Sequence, residues 1–146
     1  MEKKRYPIGV QTFEKIIDTG CVYVDKTAVI HRLAHDGSFF FLSRPRLFGK
    51  SLLCSTLQAY FEGRRELFRG LAMERLEKDW TAYPVLRIDL SGENYNNIGA
   101  LMSKLNYILT GWEEVYGRDD AAATPGVRFM GAIKRAYQQT GRKVVV

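Results

Sequence analysis

The chain has 146 residues, of which 46% are hydrophobic and 26% charged, which fits one soluble globular domain and excludes a low-complexity chain. No apolar run reaches the ~18–20 residues that cross a bilayer, so no membrane partner is expected. The charged residues 1–7 are not followed by the apolar stretch of a secretory signal, so the cytoplasm is the expected compartment. Two cysteines exclude a disulfide framework, and the net charge of +6 lies mostly in residues 1–70, with 12 Lys/Arg against 7 Asp/Glu.

Apolar residues at helical spacing, each set followed by a glycine or a loop, predict helices along the chain. The first helix begins after Thr12 and stops at Gly20. The second is capped by Asp25 and ends at Gly37. The later helical segments are 52–61, part of the connection 64–83, 98–112 and 127–137.

Short apolar segments between the helices predict strands at 21–24, 38–43, 85–90 and from Lys143 onward. The run Phe39-Phe40-Phe41-Leu42 does not alternate with polar residues, which suits a central strand buried on both faces. Strands separated by helices favour a parallel sheet with right-handed crossovers. The predicted fold class is therefore α/β, a three-layer P-loop NTPase-type parallel sheet flanked by helices and incomplete at Val146.

A glycine-containing segment, Arg44-Pro45-Arg46-Leu47-Phe48-Gly49-Lys50-Ser51, joins the predicted strand 39–42 to the next predicted helix. Gly49 allows close approach of the backbone to an anion, Lys50 can reach the β- and γ-phosphates, and Ser51 can ligate Mg²⁺. The helix that opens there, with Leu52 in its first turn, adds unpaired amides and the positive end of its dipole. These residue types in this order are typical of a phosphate-binding loop.

The loop departs from the usual pattern at its first position, where Arg44 stands in place of glycine. Because Pro45 pushes Arg44 toward an extended conformation, the loop must leave the strand differently. Arg44 and Arg46 bring two further guanidinium groups near the phosphate site. Since a bare Gly-Lys-Ser also occurs by chance, two interpretations remain: a phosphate-binding loop, favoured by the flanking strand and helix, and a fortuitous strand-to-helix turn.

Residues 40–53 resemble the P-loop of the AAA-ATPase-like family of bacterial proteins, whose loop also lacks the first glycine and reads Arg-Pro-Arg-x-Phe-Gly-Lys-Ser. Segments 7–13, 23–27 and 60–68 are similar to that family as well. The resemblance covers essentially the whole chain. It identifies residues 1–146 as the N-terminal part of one such domain, with 1–37 as an N-terminal extension and 38–146 as the P-loop core portion.

The resemblance implies an ATP-binding domain that uses ATP and Mg²⁺. Residues Arg44 to Leu52 would hold the nucleotide, Lys50 would stabilise charge in the transition state, and the Ser51 hydroxyl would hold Mg²⁺. In the family the strand near Lys143 leads into an acidic pair, so the acids needed for hydrolysis are expected beyond Val146.

Two partners are expected besides the nucleotide. Many family members carry a C-terminal nuclease-like domain, which implies a link to nucleic acid through a domain that is absent here. A sheet that is incomplete at Val146 would leave an unpaired strand edge, and such edges invite self-association.

Other residues with candidate chemistry have simpler interpretations. Asp89 ends an apolar segment as a Walker B acid would, but Arg87 interrupts that segment, so Asp89 is expected to cap a turn with Ser91 and Gly92. His31 and His35 lie one helical turn apart, as metal ligands can, yet no third ligand is evident from the sequence. Asp25 is most simply a helix cap, and the family resemblance makes residues 25–27 candidates for a nucleotide-facing role.

Two alternatives to a hydrolytic ATPase domain remain. One is a nucleic-acid-associated module that places Arg64, Arg65 and residues 3–5 on phosphates, although no recognisable motif organises them. The other is a catalytically inactive nucleotide-sensing or interaction domain with a degenerate loop.

Overall fold

The computed structural model of the chain describes residues 4–37, 39–45, 48–92, 94–121 and 123–146. These residues form two compact units, Met1–Ala82 and Tyr83–Val146. The helices in chain order are α1 (Phe13–Asp18), α2 (Thr27–Asp36), α3 (Lys50–Phe61), a 3-10 helix (Arg65–Phe68), α4 (Ala72–Leu76), α5 (Ile98–Tyr116) and α6 (Pro125–Thr140). In the part of the chain so described, no helix combines the length and apolarity of a membrane span.

The predicted helices are confirmed, because local signals determine where they begin and end. α5 begins after Asn97, whose side-chain oxygen accepts from the Ala100 amide at 2.9 Å. α6 begins after Thr124, with Pro125 in its first turn, and ends at Gly141, which has a φ of 65°. Glycine tolerates this left-handed backbone conformation, which a side chain would strain.

The predicted three-layer parallel sheet is wrong, since the described residues contain no strand. Residues 39–42 have no regular structure, and the side chains of Phe39 and Phe41 are 97% and 93% exposed instead of buried on both faces. An apolar run becomes a strand only where a neighbouring strand supplies hydrogen bonds. No such neighbour lies beside residues 39–42 among the described residues. The same holds for residues 21–24, although the Val22 amide donates to the Arg5 carbonyl at 2.8 Å.

One isolated parallel bridge joins Val85 to Val145 in the second unit. The Leu86 amide donates to the Val145 carbonyl at 2.8 Å, and the Val145 amide donates to the Pro84 carbonyl at 2.9 Å. The predicted strand segments 85–90 and 143–146 are therefore adjacent and parallel, but their pairing is limited to this one bridge.

The first unit is built around six buried side chains contributed by its helices. They are Phe13, Ile30, Ala59, Leu67, Phe68 and Met73. The Phe13 ring lies 4.9 Å from the Phe68 ring and 5.2 Å from the Tyr23 ring, in tilted and edge-on arrangements that aromatic pairs favour. The core therefore fixes α1 against α3 and the 3-10 helix.

In the second unit α5 packs against α6, and a buried ion pair joins the two helices. Arg128 donates to Glu113 through Nε at 2.8 Å and through Nη2 at 2.6 Å. Asn106 and Thr110 accept the remaining Arg128 hydrogen bonds, at 2.6 and 3.1 Å. The Arg128 guanidinium, partly offset by burial, holds the pKa of Glu113 below its usual range. The two charges are therefore paired, and four hydrogen bonds from Arg128 support the buried pair.

The exposed run 39–42 should promote self-association of the chain, because contiguous exposed apolar residues form interaction patches. Replacing Phe39 and Phe41 together by serine should raise the monomer fraction measured by sedimentation velocity over a concentration series. Tyr107→Ser is the matched control, since Tyr107 is a single exposed aromatic residue on α5. An unchanged monomer fraction in the double variant would contradict the prediction.

Glu113→Gln should lower the stability of the α5–α6 pair by about 3–5 kcal/mol, because it leaves the Arg128 charge buried without its partner. Hydrogen exchange of peptides from α5 and α6 measures this loss directly. Glu114→Gln, at the exposed neighbouring position, should change this stability little.

The stabilisation by Glu113 should depend on pH. Because the folded-state pKa of Glu113 is lowered, its contribution to the stability is complete well above pH 4.5 and is lost as the pH falls below that value. The difference between wild type and Glu113→Gln should shrink in the same range.

Candidate functional site

The glycine of the candidate loop stands directly before α3. Gly49 has φ and ψ of 77° and 18°, a left-handed conformation. Among the described residues, no heavy atom would lie within 4 Å of a Cβ at this position. Glycine is therefore required here by the backbone conformation, and the described residues leave room for an anion beside the main chain.

The first turn of α3 presents amides that have no acceptor within the helix. The first backbone bond of the helix runs from the Leu53 amide to the Gly49 carbonyl at 2.9 Å. The amides of Lys50, Ser51 and Leu52 precede this bond and so lack an intrahelical acceptor. Ser51 is exposed. Together with the helix dipole, these amides give the N-terminus of this 12-residue helix a partial positive charge.

The Lys50 ammonium is folded back over the loop. Its Nζ donates to the carbonyl oxygens of Arg44 at 2.6 Å and Pro45 at 2.7 Å. These contacts hold a full positive charge against the main chain of the loop at Arg44 and Pro45. Arg44, Pro45 and Phe48 are exposed, and Phe48 retains 62% of its accessible surface. Arg46 and Leu47, two further predicted site residues, lie outside the described residues.

α3 is anchored to α1 and to the core below the loop. The Ser55 hydroxyl accepts from the Phe13 amide at 2.9 Å and donates to the Leu52 carbonyl at 2.9 Å. The buried Thr56 hydroxyl also donates to the Leu52 carbonyl, at 2.8 Å. The first turn of the helix therefore has a fixed position in the first unit, while the loop before it is solvent-exposed.

The carboxylate of Asp25 links α2 to α4. Its Oδ1 accepts from the Thr27 amide at 2.9 Å and from the Thr27 hydroxyl at 2.7 Å, and its Oδ2 accepts from the Ala72 amide at 2.7 Å. The fully buried Thr27 hydroxyl accepts in turn from the Met73 amide at 2.9 Å. Burial raises the pKa of Asp25, but the hydrogen bonds from Thr27 and Ala72 outweigh it and hold the pKa below its usual range.

The predicted N-cap position of Asp25 is wrong by one residue, since Lys26 is the N-cap of α2, but the Asp25 carboxylate does accept from the first amide of the helix, that of Thr27. The link to α4 is a contact that the sequence did not reveal.

The predicted role of Asp89 is confirmed. Its Oδ1 accepts from the Ser91 amide at 2.9 Å and from the Ser91 hydroxyl at 2.6 Å, and Gly92 follows with a φ of 84°. Asp89 is therefore a turn cap.

Residues 7–146 match a protein family described as "Predicted AAA-ATPase". The chain belongs to this AAA-ATPase-like family. It is 40% identical over 148 residues to a curated relative from Azotobacter chroococcum mcd 1, named "Uncharacterized protein in vnfD 5'region". The alignment covers 100% of this chain and 28% of that relative, so the chain spans little more than a quarter of its length. No solved structure matches the chain significantly.

The range that matches the AAA-ATPase-like family, residues 7–146, includes both the loop 44–51 and residues 25–27. The two segments have different structural positions. The Asp25 and Thr27 side chains are occupied by contacts to α4, whereas Arg44, Pro45, Gly49 and Ser51 face solvent. The loop is therefore the candidate ligand site, and residues 25–27 support the unit that carries it.

Asp25→Asn should weaken the link between α2 and α4. Asparagine keeps one oxygen for Thr27 but places an amino group opposite the Ala72 amide, so one donor loses its acceptor, at a cost of about 1–3 kcal/mol. Hydrogen exchange should become faster in peptides from α2 and α4. Asp18→Asn, at an exposed aspartate of α1, is the control. Equal exchange in wild type and Asp25→Asn would contradict the structural role.

Proposed function

We propose that the chain is an ATP-binding domain that holds nucleotide phosphates in the loop Arg44–Ser51 and in the first turn of α3. The observation that carries this proposal is the position of the Lys50 ammonium. It lies on the carbonyls of Arg44 and Pro45, and Lys50 is itself the first residue of a helix whose first-turn amides have no acceptor within the helix. A polyphosphate is the ligand whose charge and oxygen acceptors fit this arrangement.

In this proposal each loop residue has a distinct part. Lys50 exchanges its two carbonyl acceptors for β- and γ-phosphate oxygens, and the amides of Ser51 and Leu52 donate to the phosphates. The exposed Arg44 raises the local positive potential. By the family resemblance, Arg46 also raises the positive potential, and Leu47 and Phe48 contribute their backbone to the phosphate-binding loop.

The exposed Ser51 hydroxyl is the residue of the loop that fits Mg²⁺. A bound Mg²⁺ would neutralise phosphate charge. By the family resemblance, the acidic pair that completes a Mg²⁺ site follows the segment near Lys143. Hydrolysis therefore depends, in this proposal, on acidic residues beyond this chain. The chain itself binds the nucleotide, and Lys50 is the residue that would stabilise transferred charge.

Lys50→Ala should remove most of the affinity of the chain for Mg·ATP. A charge-assisted contact contributes ~1.5–3 kcal/mol, which corresponds to roughly a tenfold to hundredfold loss. Isothermal titration calorimetry measures it. Lys134→Ala is the matched control, because it removes the same charge from an exposed position on α6. Circular dichroism should show unchanged helix content in both variants.

Two outcomes would contradict the proposal. If folded Lys50→Ala binds Mg·ATP as tightly as wild type, the loop does not hold the phosphates. If Lys50→Ala and Lys134→Ala weaken binding equally, and added salt abolishes it, the chain has only a general affinity for polyanions. That second result would favour the nucleic-acid-associated interpretation.

A further inference from the structure

The two histidines of the chain lie on one face of α2, in the first unit. His31 and His35 are one helical turn apart, and their rings stack with centroids 4.2 Å apart. His31 is half-buried, whereas 52% of the His35 side chain is exposed. The pair is therefore held in place by the helix and is accessible from solvent.

Glu77, the residue that follows α4, completes a three-residue cluster with them. Its Oε2 lies 3.8 Å from Nε2 of His31 and 3.9 Å from Nε2 of His35. One ligand atom from each residue lies within 4.8 Å of the other two. Two imidazole nitrogens and a carboxylate oxygen thus converge on one point.

A hydrogen bond on one side of the His35 ring leaves its other nitrogen beside Glu77. His35 Nδ1 lies 2.8 Å from the His31 carbonyl oxygen, which can only accept, so Nδ1 donates in this geometry. Nε2 of His35 is then the ring nitrogen that lies beside the Glu77 carboxylate. A divalent ion placed among the three groups would contact one ligand atom of each.

The carboxylate of Glu77 is oriented by groups behind it. Its Oε1 accepts from the amides of Lys78 and Asp79, at 2.9 and 3.0 Å, and its Oε2 accepts from the Tyr60 hydroxyl. Metal ligands are held in this way, with a carboxylate hydrogen-bonded from behind and a histidine donating its other nitrogen to a carbonyl. Both features are present here.

We propose that His31, His35 and Glu77 form a binding site for a divalent transition-metal ion, Zn²⁺ in the first instance. The ligand set of two imidazoles and one carboxylate favours zinc over Mg²⁺ or Ca²⁺, which take oxygen ligands. In a tetrahedral site with bonds of about 2.1 Å, ligand atoms lie about 3.4 Å apart. The cluster must contract modestly, and the half-exposed His35 ring can move to do so. The fourth position is left for water, and the ion would tie α2 to the end of α4.

The test is a titration of the purified, metal-free chain with Zn²⁺ alone, followed by calorimetry. One ion per chain should bind, and His35→Gln should weaken binding at least tenfold. Glu77→Gln should also weaken Zn²⁺ binding at least tenfold. If Glu77→Gln does not fold, His35→Gln still tests the proposal, because the half-exposed His35 side chain can be replaced without disturbing the core. Asp36→Asn, at the exposed residue beside His35, should bind as wild type does.

Spectroscopy identifies the ligands independently. Nitrogen NMR of the two histidines should show Zn²⁺ on Nε2 of both rings, and Co²⁺ in place of zinc should give a tetrahedral spectrum without thiolate charge transfer. Absence of binding, equal affinity in wild type and His35→Gln, or a thiolate band from Cys21 or Cys54 would each overturn the proposal.

Discussion

The hydrogen bonds of Asp25 and Thr27 are the constraint on which the first unit depends. They hold the start of α2 against the start of α4, through the amides of Ala72 and Met73. An aspartate and a threonine two residues apart satisfy four donors: the amide and hydroxyl of Thr27 and the amides of Ala72 and Met73. Because α2 and α4 are fixed at this end, Glu77 at the other end of α4 is brought to the histidine face of α2.

In the proposed function, phosphate binding at the loop is an exchange of hydrogen bonds. The Lys50 ammonium has two neutral carbonyl acceptors within the chain, so its charge is solvated by the protein and does not destabilise the loop. A bound phosphate would replace these contacts by stronger, charge-assisted ones. The net gain would be the difference between the two sets, which is why the contribution expected of the single lysine is a few kcal/mol and not the full strength of an ion pair.

Sequence reasoning predicted the helices correctly and was wrong about the sheet, for one physical reason. Helix ends depend on neighbouring residues, such as Asn97 and Gly141, and the order Gly49-Lys50-Ser51 is itself local. A strand depends on partners that are distant in sequence. The apolar run 39–42 gives no information about them, and it is exposed in the structure. The third member of the histidine cluster was missed in the same way, because Glu77 is distant along the chain and becomes a neighbour only through the contacts of Asp25 and Thr27.

α3 connects the two sites that this unit presents. Its first turn directly follows the loop 44–49, and the hydroxyl of Tyr60, in its last turn, donates to the Glu77 carboxylate. Twelve residues of helix span about 18 Å, which exceeds the distance over which exposed charges interact at physiological ionic strength. Direct interaction between the charges of the proposed phosphate and metal sites is therefore largely screened. If the two proposed sites are coupled through α3, whose Thr56 and Ala59 are buried in the core, bound Zn²⁺ must change the nucleotide affinity by the same factor by which bound nucleotide changes the Zn²⁺ affinity.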